Sequence, residues 1–418
     1  MNTAQAVVKM AKAAKAAAQE LSGMPSAARN KALLAMAQSL RKNSSYILRA
    51  NQKDLAQAQK QRLAAALVER LALNEKRIGQ MSASLEVIAA LADPLGRILR
   101  TIERPNGLHI EKVSVPIGVI AIIYESRPNV TADCIGLCLK AGNAVILRGG
   151  REAINSNIAI YTLLQKELVN FSLPEHAVGL VKSTERQAVD ILLGLSQYID
   201  LVIPRGGESL ITHVSEKSKI PVIRHYKGVC HTYVDSDADL AMARKVALNA
   251  KVQRPGVCNA METLLVDKKI AARFLPDMLA DLQRRGVEIR GDPATRKFGR
   301  GIKLAKESDW FTEYLDLILS VKIVSGLEEA IIHVNHYGSS HSDAIITENR
   351  NKAKEFLSRV DSACVYVNAS TRFTDGFEFG MGAEMGISTD KLHARGPMAL
   401  EELTTYKYQI TGNGQVRT

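Results

Sequence analysis

Val119-Ile-Ala-Ile-Ile-Tyr124 is an uninterrupted apolar run, long enough to form a strand that is buried on both faces. A predicted helix over about 130–140 follows it, and then a second apolar run, Ala144-Val-Ile-Leu147. The same order of strand and helix recurs at Leu201-Val-Ile203 and at the helix predicted over Ser209–Lys217. Such alternation predicts an α/β fold, in which helices cover both faces of a parallel sheet.

The rest of the chain has a different pattern on each side of this block. Residues 1–92 have helical periodicity, whereas residues 107–115 alternate like an exposed strand. A second α/β block begins near residue 230 and includes apolar runs at 317–323 and 343–347. We expect two or three domains, because 418 residues exceed what one ordinary core accommodates.

The charge balance points to a basic surface without a nucleic-acid signature. The chain has 55 Lys and Arg against 43 Asp and Glu, a net charge of +12. These charges are dispersed, and only 5% of the residues are aromatic, so there is little capacity for base stacking. A solvated basic surface, or a basic pocket for small anionic ligands, explains the charge better.

Membrane insertion and secretion are not expected either. No run reaches the roughly 18 apolar residues of a membrane helix. The alanine-rich N-terminus is interrupted by Lys9, Lys12 and Lys15, which predicts an amphipathic surface helix and not a signal peptide. We therefore expect a cytoplasmic protein.

Cysteine usage supports that expectation. The five cysteines lie at positions 134, 138, 230, 258 and 364, an odd number without a Cys-x-x-Cys pair or a zinc-like spacing. This favours a reducing compartment and no bound metal. Cys134 and Cys138 are four residues apart on a predicted helix and are expected to be packing residues.

Cys258 lies in the segment Lys251-Val-Gln-Arg-Pro-Gly-Val-Cys258. A helix is predicted upstream over 237–249 and a buried strand downstream over 263–266, and the Pro-Gly pair breaks the chain between them. The loop would therefore be held between two rigid elements. Lys251 and Arg254 are close in sequence, and nearby cations favour a thiolate. The local pattern allows either a nucleophile or a buried, inert thiol.

Two strand-to-helix loops have the composition of phosphate-binding loops. Arg148-Gly-Gly-Arg151 follows the strand at 144–147, and Pro204-Arg-Gly-Gly-Glu208 follows the strand at 201–203. Each offers small residues, bare backbone N–H groups and an Arg near a helix N-terminus. Neither has the Gly-x-Gly-x-x-Gly spacing, and a single Gly-Gly pair is often a simple turn. Residues 380–386 are expected to form a flexible loop.

Six motifs together identify a family that the chain resembles. They are Gln253-Arg-Pro-Gly-Val-Cys-Asn259, Tyr124-Glu-Ser-Arg-Pro-Asn-Val130, Gly142-Asn-Ala-Val-Ile-Leu-Arg-Gly-Gly150, Ile203-Pro-Arg-Gly-Gly207, Tyr366-Val-Asn-Ala-Ser-Thr-Arg-Phe-Thr-Asp-Gly376 and Lys391-Leu-His-Ala-Arg-Gly-Pro-Met398. From about residue 5 to 412 the chain resembles the gamma-glutamyl phosphate reductase family. These enzymes, also called glutamate-5-semialdehyde dehydrogenases, belong to the aldehyde dehydrogenase superfamily.

The resemblance implies an aldehyde dehydrogenase-like α/β fold with three parts. A Rossmann-like NADPH-binding domain would comprise 1–100 and 116–228, and an α/β catalytic domain 229–402. A small oligomerisation element would comprise 101–115 and 403–418. The implied reaction is the NADPH-dependent reduction of L-glutamate 5-phosphate to glutamate 5-semialdehyde and phosphate, the second step of proline synthesis. A homo-oligomer and possible contact with glutamate 5-kinase are also implied.

The resemblance also implies roles for individual residues. Cys258 would be the nucleophile that forms a thioester, and the Asn129 side chain would stabilise the oxyanion together with the Cys258 N–H. The cofactor-binding residues would be Arg148, Gly149, Gly150, Arg151, Arg205, Gly206, Gly207 and Glu313. The candidate anion clamps for the substrate are Arg127, Arg254, Arg372 and Arg395. No metal is implied.

One departure from the superfamily pattern bears on the reaction. Hydrolytic members have a Glu general base where this chain has Arg224-His-Tyr-Lys-Gly-Val229, with His225 near the Glu position. This disfavours a hydrolytic or CoA-linked aldehyde dehydrogenase, the first alternative. The second alternative, a non-catalytic basic binding protein, is disfavoured because Cys258 and Asn129 are both present.

Overall fold

The computed structural model describes residues 2–224 and 227–417, without the side chains of residues 65 and 66. The chain forms two compact units. The first unit contains the residues up to 224, together with 380–386 and the residues from 398 onward. The second unit contains the remaining residues up to 379, together with 387–397. His225, singled out in the sequence, lies outside the described residues.

The first unit begins with five helices, which confirms the helical interpretation of residues 1–92. They are α1 (Thr3–Ser22), α2 (Ser26–Lys42), α3 (Ser44–Lys60), α4 (Ala65–Leu71) and α5 (Glu75–Ala90). Asn2 caps α1 by accepting a hydrogen bond from the Gln5 backbone N–H at 2.8 Å. The buried residues Val7, Ala11, Ala14 and Ala18 lie three or four residues apart in α1, which gives that helix one apolar face.

Two antiparallel strands and a parallel βα block follow. They are β1 (Ile98–Glu103), β2 (His109–Pro116), β3 (Val119–Tyr124), α6 (Asn129–Lys140), β4 (Ala144–Gly149), α7 (Ile154–Asn170), β5 (Val178–Leu180), α8 (Arg186–Leu193), β6 (Leu201–Arg205) and α9 (Glu208–Lys217). Strands β5, β4, β3 and β6 form a four-stranded sheet in that order, and every pair is parallel.

Strand β3 is buried on both faces, as its apolar run predicts. Val119, Ala121 and Ile123 pack in a core with residues of α1 and α8. Helix α6 packs on β3 and β4. The parallel order places the carboxyl ends of β3, β4 and β6 side by side at one edge of the sheet.

The second unit is a larger parallel α/β layer. Its elements are β7 (Cys230–Val234), α10 (Leu240–Val252), β8 (Met261–Asp267), α11 (Ala271–Arg284), β9 (Glu288–Gly291), β10 (Lys303–Leu304), α12 (Glu307–Trp310), β11 (Ile318–Val324), α13 (Leu327–Tyr337), β12 (Ser342–Ile346), α14 (Arg350–Arg359) and β13 (Cys364–Val367). The seven-stranded sheet has the order β10-β9-β11-β8-β7-β12-β13.

Alternate residues of its central strands enter two different cores. Leu264 and Val266 of β8 pack with helices α10 and α11, whereas Leu265 packs with α13 and α14 on the other face. This two-residue periodicity explains why the strands of this block are nearly continuous apolar runs.

Three strands complete the chain, namely β14 (Gly386–Ser388), β15 (Gly396–Met398) and β16 (Thr404–Thr411). Strands β14 and β15 form a two-stranded sheet. Strand β16 pairs antiparallel with β2, so that β1, β2 and β16 form a three-stranded sheet in the first unit.

The helix before Cys258 starts later than the sequence pattern indicates. It was expected over 237–249, but α10 begins at Leu240 because the Asp239 side chain accepts a hydrogen bond from the Met242 N–H at 2.7 Å. It then continues to Val252. Across residues 2–224 and 227–417, no helix has the length and apolar character to span a membrane.

Candidate active site

Cys258 lies in the loop between α10 and β8, as expected, and its side chain is half-buried. The other four cysteines are buried. Burial raises the pKa of Cys134 to about 12 and the pKa of Cys230 well above its ordinary value, so these thiols stay protonated at neutral pH. Cys258 is therefore the thiol of this chain that a solute can reach.

The residue after the thiol anchors the loop. The buried Asn259 side chain donates a hydrogen bond from Nδ2 to the Thr374 carbonyl oxygen at 2.8 Å. In return, the Thr371 hydroxyl donates to the Asn259 carbonyl oxygen at 2.7 Å. The Cys258 loop is thus fastened to the short turn that follows β13.

The structure corrects the expectation that Lys251 favours a thiolate at Cys258. Its ammonium is completely buried and lies 2.6 Å from the Glu262 carboxylate, which is also completely buried. Burial lowers the pKa of Lys251 and raises the pKa of Glu262, and their mutual attraction opposes both changes. Because Glu262 neutralises Lys251, the pair joins the two ends of the Cys258 loop and provides no free positive charge.

Gly228 packs directly against the Cys258 backbone. A Cβ atom added at Gly228 would lie 1.8 Å from the Cys258 carbonyl oxygen and 2.7 Å from its Cα. The Gly228 N–H donates to the Glu313 carboxylate at 2.9 Å. Glu313, predicted to hold the cofactor, is therefore bonded to the segment that supports the thiol.

Two of the predicted substrate arginines lie near the thiol. Burial lowers the pKa of Arg372, repulsion from Arg254 lowers it further, and attraction to Cys258 opposes the change. The Arg372 Nε donates to the Gln253 side chain at 2.9 Å, which orients the guanidinium, whereas Arg254 is exposed. Arg372 is therefore close enough to act electrostatically on both Arg254 and Cys258.

Arg395 is held differently. Its guanidinium donates to the Asp361 carboxylate at 2.7 Å and to the Asp361 carbonyl oxygen at 2.9 Å. Both partners are partly exposed. Asp361 also pairs with Lys391, so this group of three keeps a net positive charge and Arg395 stays a candidate anion clamp.

The predicted residues of the first unit cluster at the carboxyl ends of β3, β4 and β6. Asn129 is the first residue of α6, and its Nδ2 lies 3.4 Å from an oxygen of Asp133, one turn later. Arg127 is exposed in the β3–α6 loop. The remaining members of this cluster are Arg148, Gly149, Gly150, Arg151, Arg205, Gly206 and Gly207.

The two arginines of the β4 loop have different environments. The Arg148 guanidinium donates to the Gly149 carbonyl oxygen at 3.2 Å and to the Thr184 carbonyl oxygen at 3.0 Å, and burial lowers its pKa. Arg151 is exposed and makes no ion pair or side-chain hydrogen bond within the described part of the chain. Arg148 supports the loop, whereas Arg151 is available to an anionic ligand.

Carboxylates of the chain already contact both phosphate-like loops. Glu125 accepts a hydrogen bond from the Gly207 N–H at 2.9 Å, at the N-terminus of α9. Glu152 accepts from the Ser126 N–H at 2.6 Å, and its carboxylate would clash with a Cβ at Gly150. Phosphate binding to the Gly207 amide would require Glu125 to move.

Arg205 contacts residues outside its own loop. Its guanidinium lies against Gly386, where a Cβ would come within van der Waals overlap of the Arg205 Nη1. Burial raises the pKa of the Asp133 carboxylate, and attraction to Arg205 opposes this change. The Arg205 guanidinium is therefore engaged by other parts of the first unit.

Three supporting residues near the thiol were missed by sequence reasoning, namely Gly228, Asn259 and Glu262. Asn259 carried a weak signal, because it follows Cys258 directly in the recognised motif. Gly228 and Glu262 carried none, since their roles depend on contacts made only in the folded chain.

Comparison with known proteins places this arrangement in a family. Residues 1–299 match the model of the aldehyde dehydrogenase family. The chain is 56% identical over 411 residues to the gamma-glutamyl phosphate reductase of Carboxydothermus hydrogenoformans, covering 98% of this chain and 99% of the relative. This chain belongs to the gamma-glutamyl phosphate reductases.

Other gamma-glutamyl phosphate reductases match equally completely. The Moorella thermoacetica relative is 54% identical over 417 residues, covering 100% of both chains. The crystal structure of the Thermotoga maritima gamma-glutamyl phosphate reductase has a TM-score of 0.97 and 46% identity, covering 99% of this chain and 100% of that one. These matches confirm the predicted aldehyde dehydrogenase-like fold and identify an oxidoreductase. The roles of individual residues and of the three predicted domains stay predictions.

Proposed function

We propose that this chain reduces L-glutamate 5-phosphate to L-glutamate 5-semialdehyde and phosphate, using NADPH, through a thioester on Cys258. This is the second step of proline synthesis from glutamate. Relatives that cover at least 98% of this chain at 54–56% identity are named gamma-glutamyl phosphate reductase. The observation that carries the proposal is the accessible Cys258 thiol near Arg372, with Arg254 in the same loop as the thiol.

The surroundings of Cys258 suit an acyl phosphate substrate. An acyl phosphate is a reactive mixed anhydride, so a thiolate can form a carbon–sulfur bond while the carbon–oxygen bond to phosphate breaks. Arg254 and Arg372 offer positive charge to the substrate's phosphate or α-carboxylate. Asn129 and the Cys258 N–H would donate hydrogen bonds to the oxyanion that develops during the attack.

The thioester must be reduced by hydride before water can hydrolyse it. When bound, the nicotinamide supplies the hydride that reduces the thioester, and collapse of the product then restores the thiol and releases the aldehyde. The sequence from Arg224 to Val229 provides no carboxylate where hydrolytic relatives have their general base. Without such a base, water near the thioester stays a poor nucleophile.

The loop after β4 supports the choice of cofactor. Members of the aldehyde dehydrogenase family use a nicotinamide cofactor. Arg151 is exposed next to the glycine pair Gly149 and Gly150, and a guanidinium can bind the 2′-phosphate of NADPH bidentately. We assign the 2′-phosphate to Arg151 in preference to Arg148, because Arg148 already donates to backbone carbonyls.

The three-stranded sheet is our candidate for self-association. Tyr406, Tyr408 and Ile410 alternate along β16, share one face, and are 48–61% exposed. An exposed apolar face on a strand is typical of an interface. Light scattering tests this: we expect more than one copy per particle, and we expect Tyr408→Glu to reduce the mass. A monomeric wild type would contradict it.

Two further assignments are proposals about the cell. We place the enzyme in the cytoplasm, since its five cysteines are free thiols. We also propose contact with glutamate 5-kinase, because an acyl phosphate hydrolyses readily in water and direct transfer would limit that loss.

A phosphate-dependent assay in the reverse direction tests the reaction. Glutamate 5-semialdehyde, NADP and phosphate are supplied, and absorbance of the reduced nicotinamide is followed. We expect reduction of NADP to require phosphate, or arsenate in its place. Phosphate-independent reduction would instead support a hydrolytic aldehyde dehydrogenase.

A further inference from the structure

Cys230, the first residue of β7, has a contact that distinguishes it from the other buried cysteines. Its thiol donates a hydrogen bond to the Cys258 carbonyl oxygen, with 3.2 Å between Sγ and O. Cys230 is completely buried, and burial raises its pKa well above the ordinary value. The thiol therefore keeps its proton and remains a donor at neutral pH.

The contact belongs to a connected set of polar groups around the Cys258 loop. The His341 Nδ1 lies 3.8 Å from the Cys230 Sγ and 2.8 Å from the Ser342 hydroxyl. The Ser342 hydroxyl lies 2.7 Å from the Thr374 hydroxyl, and the Thr374 carbonyl oxygen accepts the hydrogen bond from Asn259. This chain of contacts begins at the Cys258 carbonyl oxygen and ends at the side chain of Asn259, the next residue.

The strand pairing brings Cys230 to this position. Cys230 pairs with Met261 of β8, whereas His231 pairs with Thr263, so that β8 has one extra residue between them. Such an irregularity bends the strand and redirects side chains. The extra residue is Glu262, which forms the ion pair with Lys251 across the ends of the loop.

The peptide group that follows Cys258 is consequently held from three sides. Gly228 packs against the Cys258 carbonyl oxygen, and the Cys230 thiol donates a hydrogen bond to the same oxygen. The side chain of Asn259, the residue after this peptide bond, donates to the Thr374 carbonyl oxygen. Fixing this peptide group restrains the Cα atom from which the Cys258 side chain projects. A nucleophile must be held about 3–3.5 Å from the atom that it attacks, and small misplacements are costly.

We propose that Cys230 is a positioning residue for Cys258, whose hydrogen bond to the Cys258 carbonyl oxygen holds the nucleophile in its reactive orientation. The proposal rests on the proposed function, in which Cys258 attacks the substrate. From the sequence alone, Cys230 had no assigned role.

The test compares Cys230→Ala, Cys230→Ser and the control Cys138→Ala in the full-length enzyme. Cys138 is equally buried, but it lies on α6 in the first unit. Turnover in the phosphate-dependent assay is expressed per folded enzyme, which is quantified on the same samples by gel filtration and circular dichroism. This normalisation keeps a loss of folded protein separate from a loss of kcat.

We expect Cys230→Ala to lower kcat about 3- to 10-fold with little change in KM, the usual effect of losing one neutral hydrogen bond. Cys230→Ser keeps a donor and is expected to recover part of that loss, whereas Cys138→Ala keeps wild-type turnover. The proposal is overturned if Cys230→Ala matches the wild type, if the serine variant is no better than alanine, or if Cys138→Ala loses as much.

Cys258→Ala separates failure of this proposal from failure of the proposed function. Substantial turnover by that variant would remove Cys258 from the chemistry, whatever the Cys230 variants show. An inactive Cys258→Ala beside a fully active Cys230→Ala would reject the positioning role alone.

Discussion

Gly228→Ala should lower the turnover of the enzyme about 100-fold without unfolding it. The added Cβ would lie 1.8 Å from the Cys258 carbonyl oxygen, and Cβ atoms essentially never approach another atom within 3.0 Å. The two segments must therefore separate by at least about 1.2 Å, the difference between these distances. A misplacement of about 1 Å at a reacting centre costs on the order of 10²-fold in rate. We expect kcat to fall by about that factor, which corresponds to about 2.7 kcal/mol.

The fold should survive this change, because inserting one methyl group into a packed region costs about 1–3 kcal/mol. The assay is kcat in the phosphate-dependent reaction, with thermal unfolding measured on the same samples. Gly256→Ala is the matched control, since a Cβ in that part of the loop would lie 3.6 Å from its nearest neighbour, the Leu315 carbonyl oxygen. A folded Gly228→Ala enzyme with wild-type kcat would refute the argument that this contact positions the thiol.

Three further predictions concern the oxyanion, the cofactor and pH. Asn129→Ala is expected to lower kcat by about 10²–10³-fold with a smaller effect on KM, and a raised KM with unchanged kcat would make Asn129 a binding residue. Arg151→Ala should narrow the ratio of kcat/KM for NADPH over NADH more than Arg148→Ala does, and equal ratios in both variants and the wild type would place the 2′-phosphate elsewhere. Burial lowers the pKa of His333 to about 2 and of His341 to about 4, so below about pH 6.5 the unfolded chain binds protons that the folded chain does not. The contribution of these two residues to stability is therefore fully present well above pH 6.5 and falls as the pH drops towards 4, by roughly 4 kcal/mol at pH 5 for the two together. The raised pKa of Glu262 acts in the opposite direction over this range, so the test compares two proteins. Urea unfolding at pH 7.5 and 5.0 should show a smaller loss of stability in His333→Gln than in the wild type, and equal losses would contradict the prediction.

The sequence predicted the strands better than the boundaries of the helices. An apolar run such as 119–124 can be buried on both faces only inside a sheet covered by helices, so its place in the fold was predictable. The start of α10 was not, because the apolar spacing extends back to 237, whereas the Asp239 cap fixes the first turn. Local hydrogen bonds at a helix end decide such cases.

The candidate site also has features that the sequence predicted and features that it did not. Cys258 stood out because it occupies a loop between a predicted helix and strand within a recognised motif. Its support by Gly228 and Cys230 could not be predicted, since the contacts join positions about thirty residues apart. Arg148 and Arg151 fit one local pattern equally well, and they are distinguished by the Thr184 carbonyl oxygen that Arg148 contacts in the folded chain.

The central claim is that substrate becomes covalently bound to Cys258, and acid-quenched peptide mass spectrometry tests it most directly. The enzyme is incubated with glutamate 5-semialdehyde and NADP without phosphate, quenched and digested. We predict a glutamyl thioester on the peptide that contains Cys258, which disappears when phosphate is added and is absent from Cys258→Ala. Substantial turnover by Cys258→Ala, or an adduct on a different residue, would contradict the account.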